Sequence, residues 1–301
     1  MKNAQKKTEI VRINTVSDYL KGQFGRKMVK LALDGGFTCP NRDGSKGTGG
    51  CIFCGSGGGG DFASTIDDQI ELMSDKWPNA GYLAYFQNHT NTYAPVDELK
   101  EKYEHALNNP KIEGLVVATR PDCLPDDVLD LLSDINSKHF MWVELGLQTI
   151  HNKTAEMINR CYDLSVYDKA INDLNSRGIK VVVHLILGLP GESREEMLDS
   201  VRYVAESGAW GLKLHLLNVV KGSQMETLYP NYSSFETIDD YVELVCDIIE
   251  ILPPEMVIHR LTGDAPRKTL ISPSWSYRKR TILNEINAEL RKRGTYQGFR
   301  Y

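Results

Sequence analysis

Between Asp34 and Ala63 the chain runs DGGFTCPNRDGSKGTGGCIFCGSGGGGDFA. This stretch holds 11 of the 25 glycines and, as Cys39, Cys51 and Cys54, three of the six cysteines. So much glycine excludes a helix or strand interior, where each glycine adds backbone entropy that regular structure must overcome. The segment is therefore a loop that wraps closely around something, with thiolates as its grip. The spacing C-x11-C-x2-C supplies three ligands and no obvious fourth. Three thiolates suit a [4Fe-4S] cluster whose remaining iron is open to a chelating molecule. A Cys3His zinc site is the alternative, its fourth ligand drawn from any of seven histidines.

At 301 residues the chain has room for one large α/β barrel, or a barrel with a small appendage. No apolar run has signal-peptide or membrane-span length, so a cytoplasmic location is expected, and disulfides are not. Cys123, Cys161 and Cys246 are scattered singly, as buried free thiols are. Charge is uneven under a net value of −5. Residues 1–30 carry eight Lys or Arg against two Asp or Glu, and residues 267–301 carry nine against two. Two basic ends on an acidic body suit a polyanion such as RNA at the periphery, or are solvated tails.

Hydrophobic periodicity gives a strand at Met28–Leu33 and then a repeating alternation. Further strands are expected at Gly81–Gln87, Gly114–Thr119, Phe140–Gly146, Lys180–Gly188 and Gly211–Leu217. Helices are expected at Thr65–Lys76, Val96–Leu107, Pro125–Ile135, Val166–Arg177 and Arg194–Ser207, with Asp97 and Asp163 as candidate caps. Near-continuous apolar stretches such as VVVHLILGL are those of parallel strands covered on both faces. The expected architecture is a partial (β/α)6 barrel, residues 1–225, with a small α/β extension, residues 226–301. The extension should hold a helix at Thr237–Ile251, a short strand at Met256–Arg260 and a basic helix at Arg278–Arg293.

The words CPNRDG, GCIFCG and GGGGDFA resemble the cluster loop of the radical S-adenosylmethionine (radical SAM) superfamily, whose commonest spacing is C-x3-C-x2-C. The eleven-residue first gap resembles that of the elongator-catalytic-subunit-like and YhcC/YtqA-like branch. HRLTGDAP and PSW extend the likeness to the YhcC/YtqA-like branch through most of the chain. The resemblance implies a partial barrel, a [4Fe-4S] cluster on Cys39, Cys51 and Cys54, and S-adenosylmethionine on its open iron. It implies cofactor contacts from Phe53, from Gln87 and Asn88 after the second strand, and from Glu144 and Gln148 of ELGLQT. Arg160 of INRCY is expected to grip a carboxylate, and Gly188 and Leu189 of HLILGLPGE to edge the adenine. Tyr85, Tyr93 and His215 are candidates for lining the substrate cavity. Arg260, Lys268, Trp275, Arg278 and Lys279 are candidates for phosphate contact and base stacking.

The resemblance further implies tRNA as substrate, with a 5-carboxymethylaminomethyl group on the wobble uridine converted to 5-aminomethyl, and flavodoxin or ferredoxin as electron donor. Two other readings are a radical SAM enzyme for a small molecule, similar to coproporphyrinogen dehydrogenases, and a non-catalytic zinc or iron-sulfur module.

Overall fold

The computed structural model describes residues 11–55, 58, 63–263 and 265–301. Residues 1–10 of the basic entry, most of GGGGDFA and Asp264 lie outside them. In chain order the first half holds α1 (Val16–Phe24), β1 (Met28–Leu33), α2 (Ile66–Lys76), β2 (Gly81–Phe86), α3 (Val96–Leu107), β3 (Ile112–Thr119), α4 (Asp126–Lys138) and β4 (Phe140–Gln148). The second holds α5 (Asn152–Met157), α6 (Leu164–Ser176), β5 (Lys180–Leu187), α7 (Arg194–Glu206), β6 (Gly211–Leu216), β7 (Val219–Val220), α8 (Gln224–Leu228), α9 (Ile238–Ile251), β8 (Val257–Arg260), β9 (Leu270–Ser272) and α10 (Lys279–Arg293).

Seven strands form one curved parallel sheet in the order β1-β2-β3-β4-β5-β6-β8. The expected six-stranded half-barrel is there with one strand more. Val257 and Ile258 pair with Gly211 and Leu212, so β8 continues the sheet and α9 serves as another crossover. β7 and β9 form a separate antiparallel pair.

Strand alternation divides the side chains between two faces. Leu31, Leu115, Val143, Val183 and Leu214 face outward and pack against the helices in the main core. Leu83, Val116, Trp142 and Val182 face inward and meet Leu20 of α1 in a second cluster. The entry segment thus becomes a helix that closes the lower end of the half-barrel. Tyr19 packs edge-on against Trp210 at 5.0 Å, and Phe24 against Phe140 at 5.1 Å. Thr15 caps α1, and Gly25 ends it in the left-handed region at φ 68°.

The expected caps differ. Asp97 lies inside the first turn of α3, which starts after Pro95, and Asp163 occupies the cap position of α6 without a side-chain bond. Hydroxyl residues cap instead: Thr65, and the reciprocal pairs Ser193 with Glu196 and Thr237 with Asp240. All six cysteines are free; Cys123 and Cys246 are buried, whereas Cys161 is half-buried on a turn. Among the described residues no helix is long and apolar enough to cross a membrane.

Residues 12–14 meet the C-terminal segment below the barrel. The buried Gln297 side chain donates to Pro253 O and Met256 O at 2.7 Å each and accepts from Asn14 N at 2.9 Å. Gln297→Ala leaves the Asn14 amide without its acceptor and removes one donor each from Pro253 O and Met256 O, so it should lower unfolding free energy by about 2 kcal/mol. Urea denaturation checks this.

Candidate active site

A cavity of about 310 Å³ opens at the carboxyl ends of the strands. Its mouth is built by the cysteine loop, which the turn after α5 holds in place. Ile52 N donates to Ile158 O, Asn159 Nδ2 donates to Gly50 O at 2.8 Å, and Asn41 Nδ2 donates to Asn159 O. Gly49 and Gly50, at φ 77° and 79°, turn the chain into Cys51 in a conformation that side-chain-bearing residues resist. Cys39, Cys51 and Cys54 all line the cavity, with Phe53 beside them on an apolar wall that includes Ile186 and Leu217.

The thiols sit among cations. A hydrogen bond from Cys51 lowers the Cys54 thiol against the effect of burial, and the Arg42 charge helps; Cys51, its bonded partner, is raised. Arg42 Nη2 donates to Gly55 O at 2.7 Å. Arg120, within electrostatic reach of Cys39 and Cys51, is gripped by both oxygens of Asp122 at 2.9 Å. Among the described residues no three His, Cys, Asp or Glu side chains converge as a single-ion site requires. A cubane makes no such demand, because each thiolate holds its own iron. Three thiols on a pinned loop with guanidinium groups nearby fit that group.

Below the mouth lies a polar layer centred on Glu144, which is fully buried. Its Oε1 accepts from Lys30 Nζ at 2.9 Å and Trp142 Nε1 at 3.1 Å. Its Oε2 accepts from Lys213 Nζ at 2.6 Å, Tyr85 Oη at 2.8 Å and His184 Nε2 at 2.8 Å. Burial alone raises a carboxyl, but the charges of Lys213 and Lys30 outweigh it and hold Glu144 well below its usual range. Burial pushes Lys213 down to about 7 despite Glu144, and His184 down to about 4, leaving that imidazole neutral. Glu144 lines the cavity floor, but with its carboxylate committed to protein donors.

The other candidates divide clearly. Gln87, Gln148, Tyr85 and His215 line the cavity. Gln148 sits at a bulge at φ 70°, and its buried Oε1 has no partner among the described residues. Asn88 is buried outside the lining, with Oδ1 unpartnered. Arg160 lines the cavity, but its guanidinium donates to Leu147 O, Thr149 O and Tyr162 O, fixing the turn after β4 where a carboxylate grip was expected. Gly188 and Leu189 lie outside the lining. A Cβ on Gly188 would stand 2.5 Å from that of Ser234, so its glycine admits the 232–235 segment to that strand end. Tyr93 is also outside, its hydroxyl bonded to Ser45 Oγ at 2.7 Å and so bracing the cysteine loop.

Of the residues expected on an RNA-facing surface, Arg260 is instead in the cavity wall. Trp275 is half-buried against Tyr241, with Nε1 donating to Glu236 O. Lys268 and Arg278 are exposed and Lys279 is half-buried. The exposed aromatic is Tyr277, flanked by Arg267 at 4.6 Å and Arg278 at 5.7 Å. Sequence reasoning passed over Lys30, Lys213 and His184. The available signal was a lysine flanked by apolar residues in MVKLAL and in GLKLHL, where a covered strand forces it to find a buried counter-charge.

Glu144→Gln leaves Lys30 and Lys213 facing each other and should cost about 3 kcal/mol of stability near neutral pH. The folded Glu144 value is depressed, so its contribution is full above the unfolded carboxyl value and is lost as pH falls through the folded one. The folded Lys213 is lowered to about 7, so the deficit should also shrink as pH rises past that point. Urea unfolding of wild type and variant across pH checks both limbs.

Two family models match: "Radical SAM superfamily" over residues 42–204 and "Radical_SAM C-terminal domain" over residues 209–292. The uncharacterized protein YtqA of Bacillus subtilis is 47% identical over 296 residues, covering 95% of this chain and 92% of that one. The tRNA uridine(34) acetyltransferase of Dehalococcoides mccartyi is 31% identical over 164 residues, 51% of this chain and 34% of that one. The solved archaeal Elp3 of Methanocaldococcus infernus superposes with a TM-score of 0.68 at 16% identity over 90% of this chain, which spans 64% of that longer one. The half-barrel, its thiol-lined mouth and a near-full-length relative agree: the chain belongs to the radical SAM superfamily, on its YhcC/YtqA-like branch, and so to enzymes that use a [4Fe-4S] cluster and S-adenosylmethionine.

Proposed function

We propose that this radical SAM enzyme modifies tRNA, converting the 5-carboxymethylaminomethyl group of the wobble uridine to 5-aminomethyl. The observation that carries the reading is the continuity of the cavity mouth with a basic aromatic surface. Ala265 and Pro266 line the mouth; the next residue, Arg267, stands over exposed Tyr277, which Arg278 flanks on the same surface. A guanidinium-flanked phenol suits a phosphate and a stacked base. Partial likeness to a tRNA uridine(34) acetyltransferase supports the same substrate class. The 226–301 extension is then the tRNA-facing part, the cytoplasm the place of work, and flavodoxin or ferredoxin the electron source.

Cys39, Cys51 and Cys54 would hold the cluster at the mouth. Held there, the cluster would supply the electron for reductive cleavage of S-adenosylmethionine and so the radical chemistry that removes a hydrogen atom from substrate. Gln87 and Gln148 offer polar contacts to the methionine and ribose parts. Phe53, with Ile186 and Leu217, offers an apolar face for adenine. The apolar wall and the closed lower end exclude water from the reacting centre.

Cys54→Ala, and equally Cys39→Ala or Cys51→Ala, should abolish reductant-dependent formation of 5′-deoxyadenosine in the reconstituted protein. Arg267→Gln should weaken tRNA binding severalfold and reduce its salt dependence by about one phosphate contact. Mass spectrometry of tRNA nucleosides from cells lacking the protein should show 5-carboxymethylaminomethyluridine accumulating. An unchanged profile beside intact S-adenosylmethionine cleavage would instead select a small-molecule substrate.

A further inference from the structure

The cavity contains an arginine that no described residue holds. Arg260, on β8, pairs in register with Lys213 on β6 and lines the cavity wall. It makes no hydrogen bond or ion pair with any described residue. The other arginines near it are committed: Arg120 is gripped by Asp122, and Arg160 is spent on main-chain carbonyls. Two residues beyond Lys213, His215 turns into the same cavity with a buried Nε2 that has no partner among the described residues. Burial and the Arg260 charge keep its imidazole neutral at physiological pH. Asn218, also in the lining, presents a buried Oδ1 to which no described residue donates.

Charge in the layer is equally unfinished. Glu144 is the one carboxylate among the described residues there, and it faces Lys30, Lys213 and Arg260. In its charged form Lys213 spends two of its three N–H bonds on Glu144 and Tyr85, which leaves one to give. Buried polar clusters that are only partly satisfied are unfavourable unless something completes them. The donors call for an oxyanion, and the bare Asn218 oxygen calls for an N–H beside it.

We propose that Arg260, with His215 and the remaining N–H of Lys213, forms a seat for a substrate carboxylate, and that Asn218 accepts from an amine one carbon away. The ligand class is an N-substituted glycine. The seat deepens the wobble-uridine reading and rests on it for the identity of the natural ligand, whose carboxymethylamino group has this pattern. Guanidinium recognises carboxylate in the plane of both oxygens, so the seat orients the carbon between carboxylate and nitrogen as well as holding it. Once the bond from nitrogen to that carbon is broken, the carboxylate departs with the two-carbon fragment, and the aminomethyl product is left without the main contact.

The test uses the reconstituted holoprotein with S-adenosylmethionine bound and reads binding by calorimetry, with N-methylglycine and its neutral amide as probes. Wild type should prefer the acid about tenfold or more, as a charge-assisted pair requires. Arg260→Gln should abolish that preference, and Arg260→Lys should keep part of it, which separates lost charge from lost fold. An equal affinity for acid and amide in wild type, or a preference that survives Arg260→Gln, overturns the seat. So does a loss of S-adenosylmethionine affinity in Arg260→Gln matching the loss of probe affinity, because Arg260 would then hold the cofactor's own carboxylate. Acid preference lost in Arg260→Gln, beside wild-type turnover that leaves carboxymethylaminomethyl tRNA unchanged, upholds the seat and removes the wobble-uridine reading.

Discussion

A carboxylate removed from water must be paired or protonated, and that constraint governs the interior of this half-barrel. Glu144 on β4 draws Lys30 from β1, Tyr85 from β2, His184 from β5 and Lys213 from β6 to one point. Five strands are thereby tied across the concave face of the sheet. Below that layer α1 and the Trp142–Trp210–His259 cluster close the barrel with apolar and aromatic surface. Above it the space stays open. The depth of the cavity is set by where the polar layer stops and the cysteine loop begins. A buried ionic layer of this kind is weak evidence of added stability, because desolvation offsets its internal attraction.

The mouth is organised by guanidinium groups that act on backbone. Arg160 draws the carbonyls of Leu147, Thr149 and Tyr162 together, and Arg120 adds a bond to Arg160 O. That turn in turn pins the cysteine loop through Asn41 and Asn159. Gln148, held at positive φ by the same turn, projects an unpartnered oxygen into the cavity. The strained backbone and unspent hydrogen-bonding capacity gather where a ligand would sit, as they do at functional sites generally. Fixed positioning of this kind keeps the reactive centre from drifting toward solvent.

Much of this was written locally in the sequence. Strand and helix positions follow periodicity, so β1 and α3 fall where the apolar residues set them. The cysteine loop is legible because glycine and cysteine announce both a tight path and a ligand. What stayed hidden depends on distant partners. Lys30 and Lys213 are lysines in apolar strands, and only the fold reveals that Glu144 lies between them. Gly188 was expected to admit a cofactor, but it admits the 232–235 segment, a neighbour that no local pattern specifies. Trp275, expected as a stacking aromatic, is half-buried because it packs on Tyr241 of α9. Strand β8 was visible as a strand, but its place beside β6 was not, because pairing is a property of topology.

The central claim is that three thiols above the Glu144 layer hold a cubane with one iron free for S-adenosylmethionine. Mössbauer spectroscopy of iron-57-reconstituted protein in which Cys123, Cys161 and Cys246 are all replaced by alanine tests it most directly. The account predicts a complete [4Fe-4S] signal, in which one iron alone changes its parameters when S-adenosylmethionine is added. A cluster that fails to form without those other cysteines, or irons that do not respond to S-adenosylmethionine, would contradict it.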